Sequence, residues 1–245
     1  NSGDTHMYLG SLENSFSLYT EILQHPEKLN TEFGIDAPPD IENLRKDRAI
    51  SKRLSAVESK IAEIQYYQYR LLKFYMEKYR LEKYKPCSGY FQFMLIDLSP
   101  QSYYGIYDWW AVPKKCIDAC LESNNPVGIF IKSGTENLDI MLVNDLLIRL
   151  EDVSVNCSII NHEGECLYSF IEIISIDKND IKLIWSTDIG IFDRCKNHAA
   201  VLKVFDSYGN LITGNYYDNL FCHPPRPEGH PGRMSHELGV RLFNA

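Results

Sequence analysis

At 245 residues, 44% of them apolar, the chain has room for one large domain or for a helical stalk with a head, and its apolar content is that of a globular protein. It contains no run of about 18 apolar residues, so no membrane-spanning helix is expected, and its first residues do not spell a secretory signal. The net charge of −8 is unevenly spread. Residues 1–41 hold one Lys against seven acids, residues 42–85 hold twelve basic side chains against six acids, and the remainder is acidic again. Nucleic acid, which calls for a basic domain, is therefore not the expected partner.

Residues 1–40 read as a peripheral arm. Leu12 to Leu23 suit a short helix with Phe16, Leu18, Ile22 and Leu23 on one side, and Pro26 and the Ala37-Pro38-Pro39-Asp40 run break the chain. Asp40 stands where an N-cap would open a longer helix.

Residues 41–85 contain neither Pro nor Gly, and their apolar positions recur at steps of four and three. With Ile50 at heptad position a, Val57, Ile64 and Leu71 also fall at a, and Leu54 and Ile61 fall at d. Ile or Val at a with Leu or Ile at d is a coiled-coil seam, and Gln68 at the next d would fix its register. The same spacing also suits a long helix packed on its own domain. The distal part interleaves Tyr66, Tyr67, Tyr69, Tyr75, Tyr79 and Tyr84 with Arg and Lys, which suits rings packed on a following domain under long basic stems. Pro86 ends the helix.

The head, residues 86–245, opens with a strand from Tyr90 to Leu98. A helix from Pro113 to Leu121 and a strand from Val127 to Lys132 follow, an order compatible with a βαβ unit. The adjacent Trp109 and Trp110 cannot both face one core, which makes that loop a candidate contact surface. Leu138, Met141, Leu142, Leu146, Leu147 and Leu150 fit a helix. Strands are expected at Val153–Ile160, Cys166–Ile176 and Ile181–Ser186. A hairpin joins Ala199–Phe205 to Leu211–Tyr217 through Asp206-Ser207-Tyr208-Gly209-Asn210. A Pro-rich loop and a last strand, Leu238 to Phe243, close the chain.

The Gly-rich phosphate loops, the GxSxG elbow and the HExxH helix are all absent. The best chemical cluster is Cys222, His223, His230 and His236, four thiolate or imidazole ligands within fifteen residues and so enough for a tetrahedral zinc site, although their spacing matches no established zinc pattern. Seven Cys without a CxxC pair suit a reducing compartment, so a cytoplasmic setting is favoured over a secreted one. Cys116 and Cys120 lie four apart on one helix face and read as core.

The expected fold is α+β: a long coiled-coil-like helix followed by a mixed, mainly antiparallel β-rich head. The leading expectation is a non-enzymatic, homo-oligomeric adaptor or scaffold subunit without a cofactor. It would associate through Ile50, Leu54, Val57, Ile61, Ile64 and Leu71, within residues 41–85. One alternative is a metal-dependent hydrolase or nuclease-like toxin using the C-terminal Cys/His loop. Another is a receptor- or glycan-binding head contacting its ligand through Trp109 and Trp110.

Overall fold

The computed structural model describes residues 4–10, 18–133, 136–192 and 197–220. Compactness divides the chain into two units at residues 121 and 122. This division differs from the expected succession of arm, helix and head, because the arm and the helix belong to one hydrophobic core. Among the described residues strands outnumber α-helices ten to five.

The first unit is α/β. Strands β1 (Asp4–Met7), β2 (Leu29–Phe33) and β3 (Tyr90–Gln92) form a parallel sheet in that order. The register sets Met7 beside Phe33 and Phe33 beside Gln92, so the C-terminal ends of all three strands stand level. Helix α1 (Leu18–Gln24) lies in the first crossover. The second crossover holds α2 (Ile41–Leu44), α3 (Arg48–Leu54), a 3₁₀ turn (Ser55–Lys60) and α4 (Ile61–Leu81). Parallel strands need such crossovers, and helices on the sheet cover its apolar face.

The coiled-coil expectation is corrected here. Residues 41–85 are not one rod. Asp40 opens only the four-residue α2, without a side-chain cap, and the next helix is capped by Asp47, whose Oδ1 accepts from the Ala49 and Ile50 amides at 2.9 and 3.0 Å. Ile50, Leu54, Val57, Ile61 and Ile64 are buried in one cluster with Ala37 and Leu44 of the same chain. Leu71 is buried in another with Phe33 and Tyr75. The seam residues therefore find their apolar partners within their own unit.

Helix α4 is covered almost all round, and several of its buried polar side chains are bonded to the segments around it. Gln68 does not set a register; its Nε2 donates to the Ile35 carbonyl at 2.8 Å. Gln65 Nε2 donates to the Pro38 carbonyl and to Asp40 Oδ1, while its Oε1 accepts from the Lys115 amide. The tyrosines pack against their own sheet, with the rings of Tyr75 and Tyr79 each 5.4 Å from that of Phe33. Tyr75 Oη donates to the Leu9 carbonyl at 3.0 Å. A buried polar group keeps its stability only when bonded, and here the backbone that follows β1 and β2 does the bonding.

Helix α5 (Cys116–Ser123) leads to the second unit, an antiparallel sandwich. One sheet is β4 (Val127–Ser133), β5 (Asn137–Asn144) and β8 (Asp180–Asp188). The other runs β10 (Leu211–Tyr217), β9 (His198–Phe205), β6 (Leu150–Asn161) and β7 (Cys166–Ile176). Its core comes from strict alternation: Leu138, Ile140 and Leu142 on β5, Val153, Val155, Cys157 and Ile159 on β6, and Ala200, Leu202 and Val204 on β9. This is the immunoglobulin-like arrangement of seven strands in two sheets. Asn137–Asn144 is thus a strand where the spacing suggests a helix. The expected βαβ unit is also absent, since β3 and β4 lie in different sheets. The expected hairpin is present, with Gly209 at φ +86° in its turn. Leu238–Phe243 lies outside the described residues. No helix among the described residues is long and apolar enough to cross a membrane.

Candidate active site

The level C-terminal ends of β1, β2 and β3 are where a parallel α/β sheet collects its chemistry, because the loops leaving those ends converge there. Strand β2 is central, and its last two residues differ in role. Phe33 is buried against α4, while Glu32 has its side chain about one-third exposed. Asn30, fully buried, fixes the local backbone: its Oδ1 accepts from the Glu32 amide at 3.0 Å, and its Nδ2 donates to Tyr79 Oη at 2.6 Å.

Two side chains from β1 and its continuation reach the Glu32 carboxylate. Tyr8 Oη donates to Oε2 at 2.8 Å, and His6 Nδ1 lies 3.3 Å from the same oxygen. Burial, then the hydrogen bond to Glu32 and its charge, push the Tyr8 phenol far above its usual range, so Tyr8 stays protonated and remains a donor. His6 and Tyr8 also line an open cavity of about 460 Å³ that includes His25 and Glu27, a size typical of small-molecule sites.

Aromatic rings collect on the far side of Tyr8. Its ring meets those of Tyr104 and Phe93 edge-on at 5.6 and 6.5 Å, and Tyr104 packs on Phe93 at 6.1 Å and on Tyr103 at 5.5 Å. Gly34, the first residue after β2, lets these segments approach. A Cβ there would collide with the Phe93 carbonyl oxygen and press on the Tyr104 ring. Gly34→Ala is expected to cost about 1–3 kcal/mol, read as a lower urea midpoint at unchanged slope.

Other acids near this end of the sheet have firm partners. Asp36 accepts from Ser102 Oγ at 3.1 Å, Asp97 pairs with Lys114 at 2.7 Å, and Asp108 accepts from Asn43 Nδ2 at 2.7 Å. Asp108 Oδ1 also accepts from the Trp110 and Val112 amides, folding the turn that leaves Trp109 49% exposed. Trp110 is half-buried, with the Lys46 ammonium 5.4 Å from its ring centre. The two tryptophans thus face different surroundings, as adjacent residues must.

Cys222, His223, His230 and His236 lie outside the described residues. No group of three or more His, Cys, Asp or Glu arranged for a metal occurs among the described ones. Burial pushes the thiols of Cys116 and Cys157 up to about 12 and that of Cys120 to about 11, so these three stay protonated at neutral pH. Sequence pattern alone does not single out Glu32. The available signal is a short alternation, Leu29, Thr31 and Phe33, ending in Gly34.

No family model matches the chain, and neither does any curated protein. Among solved structures the chain is similar to a β-D-mannosidase from Dictyoglomus thermophilum, with a TM-score of 0.72 and 18% identity over 90% of this chain and 31% of that one. It is also similar to the exo-chitosanase of Amycolatopsis orientalis, determined in complex with PNP-β-D-glucosamine, with a TM-score of 0.61 and 13% identity over 84% of this chain and 30% of that one. The chain spans under a third of the length of these structures. At such identities the likeness shows the fold. That fold is a β-rich one shared with glycosidase structures, and it replaces the coiled-coil architecture expected from the heptad spacing.

Proposed function

We propose that the chain carries the nucleophile side of a β-glycoside-hydrolysing site, with Glu32 as the attacking carboxylate. The observation that carries this reading is the position of Glu32 at the C-terminal end of the central parallel strand, held at 2.8 Å by Tyr8, which with His6 lines a cavity of small-molecule size. The likeness to a mannosidase and an exo-chitosanase supports the same chemistry. In retaining glycosidases one carboxylate attacks the anomeric carbon and expels the aglycone, which a second acid protonates; water then cleaves the glycosyl ester. Tyr8 supports the attacking carboxylate. Its hydrogen bond orients Glu32 for attack and can pass to the ring oxygen of the sugar as the carboxylate charge is consumed.

Hydrolysis of p-nitrophenyl β-D-mannoside and p-nitrophenyl β-D-glucosaminide by the full chain tests the proposal, because the p-nitrophenolate they release needs little help from a second acid. Glu32→Gln is expected to lower kcat by more than about 10³-fold. Glu32→Ala should recover turnover with azide and yield a glycosyl azide. No turnover by the wild type, or turnover that survives Glu32→Gln, would sink the reading. Exposed Trp109 favours a second reading, glycan binding without cleavage. In that case glycan binding would fall in Trp109→Ala and persist in Glu32→Gln.

A further inference from the structure

Lys114 is a cation enclosed in the interior of the first unit, its side chain only 1% exposed. It belongs to no helix or strand, and its amide donates to the Ile106 carbonyl. Its ammonium makes three contacts on three segments. Nζ donates to the Ala37 carbonyl at 2.8 Å and to the Tyr103 carbonyl at 3.0 Å, and it lies 2.7 Å from Asp97 Oδ2. Ala37 follows β2, while Asp97 and Tyr103 follow β3. The joint is braced without Lys114 as well: Ala37 and Tyr103 exchange both backbone hydrogen bonds, and Asp97 Oδ1 accepts from the Gly105 amide at 2.7 Å.

From this joint the contacts run directly to Glu32. Tyr104 lies between Tyr103 and Gly105, and its carbonyl accepts from the Met94 amide and from Gln92 Nε2. Its ring meets that of Tyr8, and Tyr8 holds Glu32. A buried cation is unfavourable by itself, and one that joins three carbonyl or carboxylate oxygens from separate segments is a strong geometric constraint.

We infer that Lys114 is a positioning residue for the Glu32 site: by tying the segments after β2 and β3 together it sets the Tyr104 ring against Tyr8 and so fixes the donor to Glu32. This rests on the reading of Glu32 proposed above. Lys114 touches no reacting atom; it acts through Tyr103, Tyr104 and Tyr8. Asp97 completes the joint as the partner of the Lys114 ammonium. It faces Lys114 and the Gly105 amide, with Asp108 near enough to raise it further and Tyr103 and Cys116 within range of its charge. Burial outweighs the attraction of Lys114 and lifts the carboxyl to about 6.

The test combines kinetics with amide exchange on the full chain, using wild type, Lys114→Met and Asp97→Asn. Lys114→Met keeps the stem and removes the charge. It is expected to lower kcat on p-nitrophenyl β-hexosides by roughly tenfold to a hundredfold with little change in KM, as loss of positioning does. The Tyr103 and Met94 amides should exchange faster while those of β6 and β9 keep their protection. Asp97→Asn keeps both Lys114 bonds to carbonyls, so those amides should stay protected and kcat should stay close to that of the wild type, which separates the carbonyl tie from the ion pair. Unchanged kcat together with unchanged Tyr103 and Met94 protection in Lys114→Met would overturn the inference. Should Lys114→Met not fold, Lys114→Arg decides: it keeps the charge and changes the reach and shape of the donor, and unchanged kcat together with unchanged Tyr103 and Met94 protection overturns the inference. If the wild type shows no Glu32-dependent turnover, the glycosidase reading fails, and the exchange of Tyr103 and Met94 alone decides the role of Lys114.

Discussion

Ile64→Asp is expected to unfold the first unit. Ile64 is fully buried in α4, in a cluster with Ala37, Leu44 and Val57. Truncating such a side chain costs about 2–5 kcal/mol, and leaving an unpaired carboxylate in its place adds several more. The sum rivals the whole stability of a typical domain, about 5–15 kcal/mol. Amide protection should therefore vanish from α4 and β2 and persist in β6 and β9. Protection that survives while an oligomer dissociates would instead mean that the residue faces another polypeptide.

The second large effect is the pH dependence set by Asp97. Its carboxyl lies at about 6 in the folded chain, raised from 3.8 chiefly by burial and held from rising further by Lys114. The folded state thus binds a proton that the unfolded chain has already released. The resulting stability is fully present below about pH 3.8 and is lost as pH rises through about 6. A rise of this size corresponds to about 3 kcal/mol. Chemical denaturation at about pH 4, 5, 6 and 7 should show this decline on top of the contributions of other groups. Asp97→Asn should remove it. A difference between the two proteins that stays constant across that range would place Asp97 in water, against the structure.

The second unit is largely legible in the sequence because its signals are local. Cys166–Ile176 and the Leu211–Tyr217 hairpin strand are runs rich in β-branched and aromatic residues between turn residues, and they form strands where those runs lie. Leu138, Met141 and Leu142 have helical spacing, yet Leu138, Ile140 and Leu142 alternate as well. Pairing with β4 on one side and β8 on the other decides for the strand, and those partners lie elsewhere in the chain. The first unit is opaque for a related reason. Steps of four and three mark any helix with an apolar stripe, whether it meets a second chain or its own sheet. The difference rests with polar residues such as Gln68, whose carbonyl partner at Ile35 is 33 residues away. Glu32 is hidden because its strand is five residues long and three of the five are polar. Its importance comes from Tyr8 and from the level ends of β1 and β3, which no local window contains.

The sheet that presents Glu32 is joined across long sequence distances. Asn30 pairs with Tyr90, and the whole helical crossover lies between them. Bringing such distant partners together pays loop-closure entropy before any pairing is gained, so contacts of this kind form slowly. The hairpins of the sandwich face no such delay. During folding, the pairing of the carboxylate strand with β3 is accordingly expected to come later than the local turns of the crossover helices.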